Sequence, residues 1–242
     1  MKRMKNIFMV AIVALGVFCG AVRADTIAEY DTSDPLYILS PQDFLSSSDI
    51  SYYDSVLRIG QTFSYGVMER FNLGVNANWQ NDFHGDQDGF SAFDFGGLYR
   101  VMATHENSAG IVADVLAGFK FGGASRVRSP WFADSTYYAG MRFGRQWETF
   151  TLAGTIKSSW IFDDKYGLSY IDFIPEAYFR LRAAWRMGIG ADIRKSTNSY
   201  YDQEWLNLKL LRQYGRTQYI GHVDYEFEDD EWQFGFKLNI LF

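Results

Sequence analysis

His222 and Asp224 stand two positions apart, and only two other histidines, His84 and His105, occur in the 242 residues. An imidazole beside a carboxylate can serve as a general base, but acyl transfer also needs a nucleophile within its reach. A serine two residues from His222 would supply one; Ile220 and Asp224 hold those positions instead. Asp86 and Asp88, in the stretch HGDQDG at 84–89, could face the His222–Asp224 pair as a hydrolytic carboxylate pair. They could also offer oxygens to calcium, although the glutamate and spacing of a full loop site are missing. Aspartates spaced this way are ordinary solvated turn residues. We therefore expect no catalytic residue, no metal and no cofactor, and a hydrolase is the last of three alternatives. Cys19 is the sole cysteine, so thiol and disulfide chemistry has no second partner.

More telling is where the other charged residues fall. Phe71, Leu73, Val75, Ala77 and Trp79 alternate with Asn72, Gly74, Asn76, Asn78 and Gln80. Such a period of two makes a strand with one apolar and one polar face. Similar segments of about 10 to 13 residues, the strand length that crosses a bilayer at a tilt, recur from residue 44 to Phe242. They predict an all-β fold: a transmembrane antiparallel up-and-down β-barrel of 12 strands, with 10 to 12 as the range. The polar parity carries Arg58, Asp94, Arg100, Asp114 and Lys120 in the first half. Arg142, Lys157, Arg180, Arg186, Asp192 and Arg194 follow, then His222, Asp224 and Lys237. Asp172, Glu176 and Lys209 share that face. These side chains are expected to line a lumen, and glycines on the same face are expected to leave space there. A cation on the opposite, lipid-facing parity would cost about 2 to 4 kcal/mol at the bilayer midplane.

Connections separate into two sets. Short ones at 68–70, 104–108, 146–149, 182–184 and 213–216 take turns with longer ones at 82–89, 122–135, 163–169 and 196–203. Short turns on the periplasmic side and long loops outside are the outer-membrane arrangement; the link at 228–231 is a short exception. Arg126 and Arg128, near Trp131 and Phe132 in the longest loop, could meet lipopolysaccharide phosphates or fold inward. Trp79, Tyr137, Trp147, Trp160, Trp185, Tyr225 and Trp232 lie on the apolar parity near strand ends, where an amphipathic ring suits the headgroup level.

Residues 1–24 read as a signal peptide: basic Lys2, Arg3 and Lys5, an apolar run from Ile7 to Val22, and small residues before a break after Ala24. The run is about 16 residues, short of the roughly 20 of a spanning helix. Phe18 before Cys19 is too bulky for a lipoprotein signal. Taking Lys2, Arg3, Lys5 and Arg23 from the 23 basic residues leaves 19 against 29 acidic, a net charge of about −10. An acidic exported chain without a basic run argues against nucleic-acid binding. Residues 25–43 are expected to form an N-terminal periplasmic segment and 44–242 the barrel.

The last residues, WQFGFKLNILF, place Phe234, Phe236, Leu238, Ile240 and Phe242 on one face of a terminal strand. This ending resembles the C-terminal signature read by the barrel assembly machinery of Gram-negative bacteria, which implies an outer-membrane location and that machinery as a partner beside lipid and lipopolysaccharide. A looser similarity runs through FSYGVMERFNLGVNANW, DFGGLYRV and ADVLAGFKFGG. It resembles the porin-like family named for the meta-pathway of phenol degradation, whose hairpin reads Tyr-Gly-x-x-Asp-Arg-x-x-Leu-Gly; here Glu69 stands in place of the aspartate.

Two functions are compatible with these residues. In one the barrel is a small channel, porin-like, passing small solutes or apolar compounds. In the other its lumen charges pair across and fill it, leaving a closed structural or adhesive barrel. Substrate and oligomeric state are not readable from the sequence.

Overall fold

The computed structural model describes residues 30–83, 89–122, 135–162, 169–181, 184–197, 202–228 and 230–242. Twelve strands follow one another: β1 Phe44–Tyr53, β2 Val56–Met68, β3 Phe71–Asp82, β4 Gly89–Met102, β5 Ile111–Phe121, β6 Thr136–Gln146, β7 Phe150–Ile161, β8 Tyr170–Arg180, β9 Trp185–Ser196, β10 Gln203–Tyr214, β11 Thr217–Glu226 and β12 Glu231–Leu241. Each pairs antiparallel with its sequence neighbours, and β1 pairs with β12, so the sheet closes on itself. A barrel without edges satisfies its backbone groups internally, as hydrocarbon surroundings require. The fold is thus the closed 12-stranded antiparallel barrel that the alternation predicts. The signal peptide, His84, Asp86, Asp88, Arg126, Arg128, Trp131 and Phe132 lie outside the described residues.

The outer wall is apolar and uncovered. Phe63, Val75, Phe95, Val115, Met141, Leu152, Ile156, Phe173, Leu208 and Phe234 all project outward and are exposed. A surface of this extent is stable only against hydrocarbon. Aromatic pairs mark its two rims: Tyr137 stacks on Trp160 at 5.3 Å and Tyr225 approaches Trp232 at 4.7 Å on the long-loop side, while Trp147 stacks on Phe150 at 4.4 Å on the short-turn side. Charges on the outward parity stay near strand ends. The Arg212 guanidinium lies over the rings of Trp185 and Tyr214, that of Arg145 over Trp147, and Lys195 pairs with Glu204.

Two differences from the sequence reading have simple causes. β10 runs to Tyr214, into the connection expected at 213–216, because Arg212 keeps the outward parity with its stem against aromatic rings. The β1–β2 link on the long-loop side is only Asp54–Ser55, both at positive φ, which makes a tight hairpin turn.

Candidate functional site

Because every strand alternates, each inward position meets an inward position of its neighbour, and the register decides which charges pair. Asp114 on β5 stands opposite Arg100 on β4 and Arg142 on β6. Arg100 Nε donates to Asp114 Oδ1 at 2.9 Å and Arg142 Nε to Oδ2 at 2.7 Å, and the carboxylate is fully buried between them. The same arrangement recurs nearer the long-loop rim. Asp172 on β8 stands between Lys157 on β7 and Arg194 on β9, at 2.9 and 2.6 Å. Further round the wall Lys209 meets Glu176 at 3.0 Å. His222 is clamped by two carboxylates, Nδ1 to Asp224 at 2.8 Å and Nε2 to Asp49 at 3.1 Å. With both ring nitrogens occupied, the imidazole is a structural link rather than a base facing a nucleophile.

Lumen glycines make room for neighbouring side chains rather than for solute. The Tyr138 phenol crosses Gly118 and Gly96 to donate to Asp94 at 2.9 Å. The Lys209 stem lies over Gly188, and the His222 ring over Gly235. These long side chains therefore lie along the wall.

Arg180 and Arg186 pose a different problem. They stand directly opposite each other on β8 and β9, near the short-turn rim, where like charges destabilise a sheet. Their counter-charges come from residues 30–43. These residues, part of the segment 25–43 expected to be N-terminal and periplasmic, lie inside the short-turn mouth of the barrel. Asp34 pairs with Arg180 and accepts from Thr151 Oγ1 at 2.6 Å. Asp31 Oδ2 lies 3.5 Å from Arg180 Nε and 3.6 Å from Arg186 Nε, while its Oδ1 accepts from the Tyr178 hydroxyl at 2.5 Å. Arg100 and Arg142 extend past Asp114 to the carbonyls of Leu36 and Tyr37, at 2.6 and 3.3 Å. Thr32 and Ser33 hydroxyls donate to Gln218 Oε1. Burial pushes the Asp31 carboxyl above its usual value; the Tyr178 hydrogen bond opposes that and Asp34 adds to it. Burial likewise pushes the Tyr37 phenol up to about 12.

Above this floor a cavity of about 760 Å³ remains. Asp49, Asp94, Glu176 and Asp224 face it together with Arg142, Lys157, Lys209, His222 and Lys237. Among the residues expected in the lumen, Asp94, Arg142, Lys157, His222, Asp224 and Lys237 line this space. Arg100, Asp114, Arg180 and Arg186 brace the floor, and Arg194 and Asp192 lie beside the Asp172 cluster with Lys120. Arg58 is set apart, donating to the Tyr53 hydroxyl at 3.1 Å. His105 lies exposed in a 3-10 turn, Thr104–Glu106, on the short-turn rim. Sequence reasoning missed Asp31, Asp34 and Tyr37, which belong to no periodic segment. The clue was available: Arg180 and Arg186 face each other across a hairpin without an acid on either strand near them, and DTSD at 31–34 is the acidic stretch next to β1.

No family model and no curated protein sequence matches the chain, so the meta-pathway similarity rests on its quoted motifs alone. Solved structures do match in fold. The NanC porin superposes with a TM-score of 0.64 at 8% identity, over 81% of this chain and 98% of that one. The KdgM porin in complex with disordered oligogalacturonate gives 0.63 at 10% identity, over 81% and 98%. An outer membrane channel from Pseudomonas putida F1 gives 0.61 at 6% identity, over 86% and 98%. At these identities what is shared is the architecture, and it is that of outer-membrane porins and channels.

Proposed function

We propose that this chain is a channel of the bacterial outer membrane that passes small polar solutes. The observation that carries the reading is the cavity of about 760 Å³ left in the lumen after its charges have paired along the wall. A barrel built only as a structural body would fill that space with side chains. The lining mixes both signs, with Asp49, Asp94, Glu176 and Asp224 against Arg142, Lys157, Lys209 and Lys237. That balance suits small polar or dipolar solutes better than apolar compounds. It also differs from the one-signed lining expected for a polyanion such as the oligogalacturonate held by the KdgM structure. Phe234 and Phe236 face outward while Lys237 and Asn239 face the cavity, which supports reading the C-terminal signature as lipid-facing, with the barrel assembly machinery as the route of delivery. Lipid and lipopolysaccharide are the partners this surface fits. The clamped His222 gives no support to a hydrolase.

Single-channel recording in a planar bilayer tests the proposal. Discrete openings are expected, with ion preference shifting toward cations in Lys237→Glu, whose side chain borders the cavity. A barrel that shows heat-modifiable gel mobility, and is therefore folded, yet stays silent even without its floor segment would overturn it.

A further inference from the structure

We infer that residues 30–39 are a displaceable plug, latched to the wall by Asp34 on Arg180, and that conduction requires the latch to open. This deepens the channel reading and rests on it. The segment stands across the route, since Thr32, Ser33, Asp34, Pro35, Tyr37 and Leu39 form the floor of the lumen cavity. Its attachment differs in kind from that of the strands. The backbone bonds within it form local turns, Thr32 to Tyr30, Asp34 to Asp31 and Tyr37 to Asp34. Ladder-like bonding begins only at the hinge, where Gln42 N donates to Gly66 O and Gly66 N to Asp43 O. Gln42 adopts a positive φ of 73° there. Gly66 has no side chain because the Ser40 carbonyl fills the place of a Cβ.

The forces holding the plug are polar. Leu36 and Leu39 are its buried apolar side chains, whereas Asp31, Thr32, Ser33 and Asp34 bond to Tyr178, Gln218, Thr151 and Arg180. The hydroxyl and amide groups among these exchange protein partners for water at small net cost once the lumen is wet, which leaves the buried Asp34–Arg180 pair as the principal tie. An apolar plug would resist such exchange. Release also leaves Arg180 and Arg186 facing each other, a repulsion that water and counter-ions must relieve, so the closed state is favoured without being locked. The segment is joined to β1 at the short-turn mouth, and it can swing out there without breaking any strand pair of the barrel.

A reversible tether tests the plug. In a Cys19→Ser background, Asp34→Cys with Thr151→Cys joins the latch to the wall at side chains now 2.6 Å apart. Ser33→Cys with Gln218→Cys provides a second, independent tether. The expected result is loss of single-channel conductance on oxidation, with recovery on adding reductant. Asp34→Asn without a tether should open more often than the native chain. If both tethered variants, with crosslinking verified by mass, conduct equally before and after reduction, the plug does not gate and the inference fails while the channel stands. If a folded barrel lacking residues 30–39 is itself silent, the channel reading fails and takes the plug with it.

Discussion

Replacing Asp114 by Asn tests whether the wall charges are organised as cation, anion, cation. Asp114 is fully buried, and the guanidiniums of Arg100 and Arg142 on either side keep 13% and 15% of their side-chain exposure. Neutralising the carboxylate leaves two neighbouring cations without the anion between them. Breaking a buried pair by removing one partner costs about 3–5 kcal/mol. The two arginines can still turn toward lumen water, so we take the lower end, about 3 kcal/mol, as the expected loss. Exposed ion pairs give about 0–1 kcal/mol by comparison. Equilibrium guanidinium unfolding from lipid vesicles, followed by tryptophan fluorescence, measures this directly. The midpoint should fall with an unchanged denaturant slope, because the surface uncovered on unfolding is the same. The variant should also conduct with greater anion preference, since the lumen wall loses one negative charge. Because Arg100 and Arg142 also hold the Leu36 and Tyr37 carbonyls, residues 30–39 should become more accessible to protease. A loss below about 1 kcal/mol, the range of exposed pairs, would refute the reasoning, since the three side chains would then be no better coupled than groups in water.

With the Asp34 latch removed, acidification should favour docking of residues 30–39 through Asp31. Its carboxyl is raised in the docked segment chiefly by burial, so the docked state holds its proton more tightly than the released state. Docking is therefore favoured below the released pKa, near 4, and that advantage fades as pH rises through the raised one. Tyr178, Gln218, Arg180, Arg186 and Asp34 are the groups that face Asp31. Conductance falling with pH in Asp34→Asn, where the latch carboxylate is gone, and flat over that window in the Asp31→Asn, Asp34→Asn double variant, is the expected pair of recordings. Gly118→Val should displace the Tyr138 phenol from Asp94 and cost about 1–3 kcal/mol as overpacking; a double-mutant cycle with Tyr138→Ala should recover part of the loss, and strict additivity would refute the contact. Deleting Phe242 removes its backbone exchange with Phe44 and the ring beside it at 6.0 Å. Membrane yield in cells should fall by more than refolding into vesicles does, and an unchanged cellular yield would count against an assembly signal.

How much of this was legible beforehand depended on whether a residue sat in a periodic segment. The inward parity of Asp114, Lys157 and Lys237 could be read directly, because period two fixes the face of every residue in a strand. Which charges would meet could not be read, because cross-strand register depends on the hairpin connections. A shift of two at the β4–β5 turn would place Arg100 opposite another inward residue while leaving the alternation unchanged. The glycines show the same limit. Their inward position was legible, but the phenol of Tyr138 over Gly118 follows from register and rotamer together. Residues 30–39 were hidden for a further reason: without periodicity they have no face, and their place is set by groups on distant strands.

That last case was nevertheless constrained by charge. Arg180 and Arg186 are both inward and lie either side of one short turn, and the register of that hairpin brings the two guanidiniums together. Two opposed cations deep in a narrow mouth require an anion from outside the hairpin. Once the barrel closes, the chain entering β1 is delivered to that mouth, because β1 begins where β12 ends. Asp31 and Asp34 lie on that chain, about ten residues ahead of the strand, which at roughly 3.3 Å per residue is enough to cross the mouth. The two opposed arginines of one hairpin thus point to the folding-in of a segment nearly 150 positions away, and the same reasoning makes Arg180 the site where the plug is held or released.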